Sequence, residues 1–304
     1  MAEPNWRLAG KRDRLMERAR ILHRIRAFFM DRDFLEVETP HRVPGNAPEA
    51  YIAPVPSGDW FLHTSPELSM KRLLAADYPR LFQICRCWRA AERGNRHLPE
   101  FTMLEWYRAQ AAYQILMDEC EALFCALAPQ GRIRRQGRDI DLGPPWERLS
   151  VAEAFTRYTD TTARQALAEN RFDELIACEI EPRLGWDKPC FLTDYPAELA
   201  ALARKKPGNP EVAERFELYI AGLELANAFS ELTAPEEQRA RFAREEAQRL
   251  QAGQAPYPVP EKFLAELAHM PPAAGIALGV DRLVMLLTDA ATIDEVVAFT
   301  PEEL

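Results

Sequence analysis

The sequence predicts an α+β fold, a mainly antiparallel sheet flanked by helices, and two observations lead there. The long strand patterns come as neighbours: RLFQICRCWRA (80–90) with EFTMLEWYRA (100–109), and the two arms of RFELYIAGLELANAFSEL (215–232). That is hairpin order, not the strand–helix–strand order of a parallel sheet, which argues against a dinucleotide-binding fold. Helical spacing falls on separate segments instead.

In chain order, residues 11–32 place Leu15, Ala19, Leu22, Ile25 and Phe29 three or four apart, an amphipathic helix. FLEVETP (34–40) alternates, ends at proline and reads as a strand. WFLHT (60–64) is a short strand. SPELSMKRLLA (65–75) is a helix with a serine cap and proline in its first turn. Polar AERGNRH (91–97) turns the first long hairpin, and helical spacing returns over 113–127. Residues 129–190 read as mixed short helices broken at Gly143-Pro144-Pro145. The second hairpin turns at Ala221-Gly222. Thr233-Ala-Pro-Glu236 reads as a capping box opening a helix to about Gln251, with Gly253 beyond its end. AGIALGV is the last strand and DRLVMLLTD the last long helix. No repeat or low-complexity linker divides the chain, so a single domain over 1–304 is expected.

With 304 residues, 47% hydrophobic and 28% charged, the chain has ample material for a large core. A net charge of −9 gives no general basic field for a nucleic acid. The start, MAEPNWRLAGKRDR, lacks the apolar segment of a secretory signal, and no apolar run approaches a membrane span. Six cysteines make no C-x-x-C pair; Cys85 and Cys87 share a strand face, and reduced packing thiols are the favoured reading, without zinc. These features fit the cytoplasm.

Four constellations carry chemistry. Arg86, Arg89, Arg93 and Arg96 with His97 surround one turn, where guanidinium groups suit phosphate oxygens, and Phe101 on the return strand suits a purine. A solvated turn with surface arginines is the plainer alternative. Glu217 and Glu224 on opposite arms of the second hairpin suit Mg²⁺, or else an ion-pair network with Arg215. Asn227, Phe229 and Glu231 alternate onto one face, as a pocket for an aliphatic amine or as a polar edge strand. Arg282 at a helix start combines a fixed charge with unpaired N–H groups, and Gly279 permits close approach of a ligand.

The order of these signals resembles the class II aminoacyl-tRNA synthetases. FLEVETP is similar to motif 1, CWRAAERGNRHLPEFTMLEWY to motif 2 and GIALGVDRL to motif 3, while TSPELSMKRLL and LELANAFSEL resemble the lysyl branch. The resemblance covers about residues 15 to 300. Only some 33 residues precede motif 1, too few for the anticodon-binding OB domain of that branch. The wording of EFTMLEWY and GIALGVDRLVML is close to that of a stand-alone paralogue family, the elongation factor P–(R)-β-lysine ligases.

The resemblance implies that ATP and Mg²⁺ activate lysine or (R)-β-lysine as an adenylate, which then passes to a lysine ε-amine of elongation factor P. It implies catalytic roles for Arg89 on the α-phosphate and Arg282 on the γ-phosphate. Ala90, Ala91, Glu92, His97, Leu98, Phe101, Glu217, Leu218 and Gly279 would complete the ATP site, with Glu217 and Glu224 holding the metal. Ser65, Pro66, Glu67, Glu105, Tyr107, Glu224, Asn227, Phe229, Glu231 and Ala277 would form the amino-acid pocket, Glu231 taking the distal ammonium. Ala277 stands where tRNA-charging lysyl enzymes carry glycine. Two departures fall in motif 2: Ala91 replaces an acid that now follows as Glu92, and Leu98 replaces an amide. A homodimer through motif 1 is implied, and tRNA is not expected as a partner. A truncated lysyl-tRNA synthetase and a non-catalytic regulatory paralogue are the alternatives.

Overall fold

The computed structural model describes residues 6–304; the first five residues, where the signal-free start was read, lie outside the described residues. Eight strands form the central sheet: β1 (Leu35–Glu36), β2 (Arg80–Trp88), β3 (Glu100–Ala109), β4 (Glu147–Ser150), β5 (Cys190–Thr193), β6 (Arg215–Ile220), β7 (Leu223–Ser230) and β8 (Ala273–Gly279). Their spatial order is β1-β2-β3-β8-β7-β6-β5-β4. The two outer pairs, β1 with β2 and β4 with β5, are parallel, and every pair between them is antiparallel. The α+β expectation holds, with the two predicted hairpins as its centre.

One sheet face is committed to the core. Phe82 of β2, Leu104 and Trp106 of β3, Ile276 and Leu278 of β8, Ala226 and Ala228 of β7, and Phe216 and Leu218 of β6 are all buried there. Over them lie α1 (Arg12–Met30), α3 (Tyr113–Leu127) and α6 (Val280–Leu287), which supply Ile25 and Phe29, Leu116, Leu123 and Phe124, and Leu283 and Val284. Successive side chains alternate across a strand, so the residues between these positions face the other way. That opposite face is partly covered by α2 (Glu67–Ala75), α4 (Pro235–Gln251) and α5 (Glu261–Leu267).

Four local expectations need correction. FLEVETP pairs as a strand only at Leu35–Glu36, continued by one bond from the Val37 N–H to the Phe82 carbonyl. The cap of α2 is Pro66; Ser65, one place earlier, still accepts the Glu67 N–H at 3.0 Å. The Thr233 capping box does not form, because Pro235 takes the first helical position, where its missing N–H costs nothing, and leaves Ala234 as the cap. Finally, the 129–190 segment is not only helical: it opens with the hairpin Arg132–Arg135/Arg138–Asp141 and supplies β4 and β5 to the sheet. The turn of the second hairpin falls as read, with Ala221 and Gly222 both at positive φ (54° and 65°), the conformation a two-residue turn needs.

A buried ion pair joins the first helix to motifs 2 and 3. Asp281, 2% exposed at the start of α6, accepts from Arg18 of α1 at 2.5 Å and from the Thr102 N–H of β3 at 2.8 Å. Arg18 also donates to the Thr102 hydroxyl at 2.8 Å. Asp281→Ala would leave the Arg18 charge without its counter-ion and the Thr102 amide without an acceptor, so an unfolding free-energy loss of about 3–5 kcal/mol is expected, read as a lower denaturation midpoint with unchanged m-value.

Candidate active site

The polar row on the sheet face opposite the core is built by register. Glu105 of β3 lies opposite Ala277 of β8, Ala277 opposite Asn227 of β7, and Asn227 opposite Glu217 of β6. The next row places Tyr107, Gly275, Phe229 and Arg215 side by side. Glu224 belongs to this face only because of a bulge. Tyr219 pairs with Glu224 but Leu218 pairs with Ala226, so Leu225 is the extra residue and the phase of β7 shifts by one. Without that shift Glu224 and Asn227 would point to opposite faces.

A cavity of about 310 Å³ lies over this row, lined among others by Arg89, Glu92, Arg96, His97, Leu98, Phe101, Arg215, Glu217, Glu224, Asn227, Ala277, Gly279 and Arg282. Its cations differ in how firmly they are held. Arg215 donates to Glu217 at 2.6 Å, to the Leu199 carbonyl at 2.7 Å and to Asn227 at 3.0 Å. Arg282 donates to the Glu224 carbonyl at 2.9 Å, to its carboxylate at 3.3 Å and to the Arg96 carbonyl at 3.2 Å, and also meets the His97 ring. Burial and the Arg282 charge hold the His97 pKa below its ordinary value. Arg89 is the least engaged: its one side-chain partner is Glu92 at 3.5 Å, its buried Nε has none, and its guanidinium stands 5.1 Å over the Phe101 ring.

These observations also sort the arginine turn. Arg93 is turned away onto Glu302 and Asp294, and Arg86 leans on Glu100, so only Arg89 and Arg96 reach the cavity. Ala90 and Ala91 are exposed outside its wall, and the Ala90 N–H is already donated to the Ala53 carbonyl at 2.8 Å. Leu218 is in the core on the other face, since it alternates with Glu217. Glu92, the displaced acid of motif 2, lines the cavity beside Arg89, and Leu98 fills its wall as a buried apolar residue.

The groups expected around the amino acid form a second, buried cluster at the end of the row. Ser65 donates to Glu105 at 2.6 Å and Tyr107 donates to it at 2.8 Å. Pro66 is buried and starts α2, which directs Glu67 inward. Here the sequence reading missed a residue. Lys71, one helical turn after Glu67 and 1% exposed, lies 2.6 Å from Glu67, 2.5 Å from Glu231 and 5.1 Å from the Phe229 ring. An internal ammonium therefore already sits against Oε2 of Glu231 as an ion pair, while neither oxygen of that carboxylate has a hydrogen bond of good geometry. Burial alone would depress the Lys71 pKa; Glu231 and Glu67 outweigh it and hold it above the ordinary value. Burial and then the Glu67 charge push Glu105 up to about 8, against the hydrogen bonds from Ser65 and Tyr107.

Glu49, Arg249, Tyr195, Tyr219 and Gly275 were also missed. Arg249, 1% exposed on α4, donates at 2.9 Å to the carbonyls of Glu49 and Ile52 and so holds the segment that roofs the cavity. Tyr195 and Tyr219 both donate to Oε2 of Glu217, at 2.5 and 2.6 Å. Gly275 has no room for a side chain, because a Cβ there would run into the Tyr107 ring and the Glu231 carboxylate. The i, i+4 spacing of Glu67 and Lys71 was the available signal for the lysine; the others depend on distant partners.

A mainly antiparallel sheet carrying arginines over one end of a row and buried carboxylates at the other defines a class II synthetase-type catalytic domain. The family model described as tRNA synthetases class II (D, K and N) matches residues 5–303, and the chain belongs to that family. It is 38% identical over 98% of both chains to an elongation factor P–(R)-β-lysine ligase of Pectobacterium carotovorum, and 39% identical over 98% of both chains to one of Sodalis glossinidius. It is also 38% identical to a lysine–tRNA ligase of Magnetococcus marinus, over 93% of this chain but 62% of that protein's length. Among the described residues no helix is long and apolar enough to cross a membrane.

Gly275→Ala should raise the KM for the amino acid more than about tenfold and cost about 1–3 kcal/mol of stability, as overpacking does, measured by ATP–pyrophosphate exchange and thermal unfolding.

Proposed function

We propose that this chain activates lysine or (R)-β-lysine with ATP and transfers it to a lysine ε-amine of elongation factor P, working as a homodimer through the motif 1 elements. The observation that carries the reading is the charge imbalance of the buried cluster. Glu67, Glu105 and Glu231 face a single internal ammonium, Lys71, beside an arginine-bearing cavity. A substrate with two ammonium groups corrects that imbalance, whereas a neutral or acidic amino acid does not. The names of the relatives that match over nearly their whole length support the acceptor.

The nucleotide end fits ATP. Arg89 has a buried, unpartnered Nε, and a Cβ at Gly279 would meet only Arg282 carbons at 3.7 Å or more, so the glycine leaves space on the cavity side that the fold itself does not need. In this reading an oxygen of the substrate carboxylate attacks the α-phosphorus, and the bond to pyrophosphate breaks. Arg89 stabilises the charge that develops there, and Arg282 with Arg96 holds the outer phosphates. The acceptor amine next attacks the acyl carbon, an amide forms, and AMP leaves. Phe101 offers adenine the ring face opposite Arg89. The oxygen donors of Glu217 and Glu224 suit Mg²⁺: Glu217 keeps a lone pair on Oε1 beyond its bond to Arg215, and Glu224 has one side-chain partner. When bound, the ion would neutralise phosphate charge as pyrophosphate departs.

Ala277 refines the substrate. Its methyl lies between Glu105 and Asn227 on the cavity floor, where it limits how an amino group can be placed. Intact-mass analysis of elongation factor P, incubated with this protein, ATP, Mg²⁺ and each lysine isomer, should show a gain of one lysyl unit that is lost in Arg89→Ala. Ala277→Gly should shift the preference between α-lysine and β-lysine. No gain with any isomer, together with efficient charging of tRNA, would replace this reading with that of a tRNA ligase.

The pH dependence follows from Glu105. Its folded pKa of about 8 lies above the ordinary 4.5, so the folded state binds the extra proton between those values. This contribution to stability is present at low pH and falls as pH rises toward about 8. An ammonium ligand needs the ionised form, so substrate affinity should strengthen up to about pH 8, with proton release, and then level. Burial raises the Glu231 carboxyl to about 8 as well, so calorimetry in buffers of different ionisation enthalpy reads the protons released by both groups; Glu105→Gln should reduce the release and Glu105→Gln/Glu231→Gln should abolish it.

A further inference from the structure

On the same sheet face as the site, beside Phe101 and Ala277, β2 presents two sulfur atoms that meet an imidazole at one point. Cys85 and Cys87, two apart on one strand, share a face by alternation, and their Sγ atoms are 4.0 Å apart. His63 Nε2 lies 4.0 Å from the Cys87 sulfur, and the three donor atoms all fall within 4.8 Å of one another. All three residues are buried, His63 and Cys87 almost completely. Among the described residues this is the one group of three or more His, Cys, Asp or Glu side chains whose donor atoms close in this way. None of the three is needed for adenylate chemistry.

We propose that His63, Cys85 and Cys87 form a site for one borderline-soft metal ion, zinc being the first candidate, distinct from the magnesium carboxylates. A triangle with these edges has a point about 2.5 Å or less from every corner, close to the roughly 2.0–2.3 Å of zinc–nitrogen and zinc–sulfur bonds, so small shifts complete the shell. Two thiolates with an imidazole select zinc or copper(I) over the hard ions that carboxylates take. The ligands are also held in advance. The His63 N–H donates to the His41 carbonyl at 2.8 Å, and its carbonyl accepts from Trp88 at 3.0 Å, which binds the residue to the edge of β2. The Trp88 ring lies 5.7 Å from the His63 ring. His63 Nε2 now donates to the Arg86 carbonyl at 2.6 Å; binding exchanges that hydrogen bond for a metal bond and leaves the carbonyl oxygen beside the ion. The exposed His41, its ring 5.2 Å from that of His63, gives a fourth donor close by.

The position gives the ion work to do. His63 directly precedes the segment that carries Ser65 and Glu67, while Cys87 lies two residues before Arg89. Ala277 and Phe101 pack against the sulfur pair. A metal here would clamp the amino-acid segment to the strand that carries the phosphate arginine. It is a positioning site, and it stands whether or not elongation factor P is the acceptor.

The test is cobalt(II) titration of the reduced, metal-free, full-length protein under anaerobic conditions. One equivalent should produce a near-ultraviolet thiolate-to-cobalt charge-transfer band and the visible bands of a tetrahedral site, both displaced by zinc. Cys85→Ser/Cys87→Ser should remove the band and weaken binding at least about 100-fold. His63→Gln, which keeps both thiols, should shift the visible bands and weaken binding, with circular dichroism confirming the fold. Reduced wild-type protein that shows no charge-transfer band overturns the assignment. So does a band that persists in the double variant.

Discussion

The site depends on phase within the antiparallel sheet. One face of the sheet is filled by α1, α3 and α6, so every polar group that can meet a ligand must occupy the alternate positions. Glu105, Ala277, Asn227 and Glu217 satisfy this as a straight row across four strands. A regular two-residue hairpin would have put either Glu224 or Asn227 into the apolar core. The extra Leu225 resolves the conflict by rotating the tip of β7 half a period, and both polar groups face the cavity. A bulge usually marks such a need, since it gives up ladder regularity to re-aim a side chain.

Electrostatics then divides the row into two ends. At one end Arg89, Arg96 and Arg282 stand near Glu92 and Glu224, a set suited to a polyanion with a divalent ion. At the other end Glu67, Glu105 and Glu231 cluster around Lys71, with neither oxygen of Glu231 hydrogen-bonded. The second set is costly without a ligand, which is why Glu105 holds its proton to about pH 8. An arrangement kept in that condition is stabilised when a cationic substrate arrives. The scaffold must resist closing the gap by itself, and Asp281 helps it do so: through Arg18 and Thr102 it fixes α1, β3 and the start of α6, the elements nearest Arg282.

Much of this was legible in the sequence, and the failures have identifiable physical causes. Apolar runs with hairpin order located β2, β3, β6, β7 and β8 closely, because each puts one face into the apolar core. Residues 129–190 were not legible, since β4 and β5 are only four residues long, and β5 pairs with β4 and β6, some twenty to forty residues away in sequence. Thr233 matched a capping pattern, yet Pro235 decided where the helix begins. Leu218 fell into the ATP list by adjacency to Glu217, although neighbours in a strand face opposite ways. Arg93 belonged to the right turn but found Asp294 and Glu302, acids some two hundred residues away.

The sequence by itself determined the α+β class, the two central hairpins, the helix that follows the last strand and nearly all the residue types of the candidate site. These rest on local periodicity and on turn chemistry, which act over a few residues. Tertiary structure alone decided which carboxylates are buried together, that Lys71 already pairs with one oxygen of Glu231, and that Arg249 holds the segment roofing the cavity. It also decided that His63 meets Cys85 and Cys87. Each of these joins segments separated by tens to hundreds of residues, and burial and charge pairing exist only after the sheet register has brought those segments side by side.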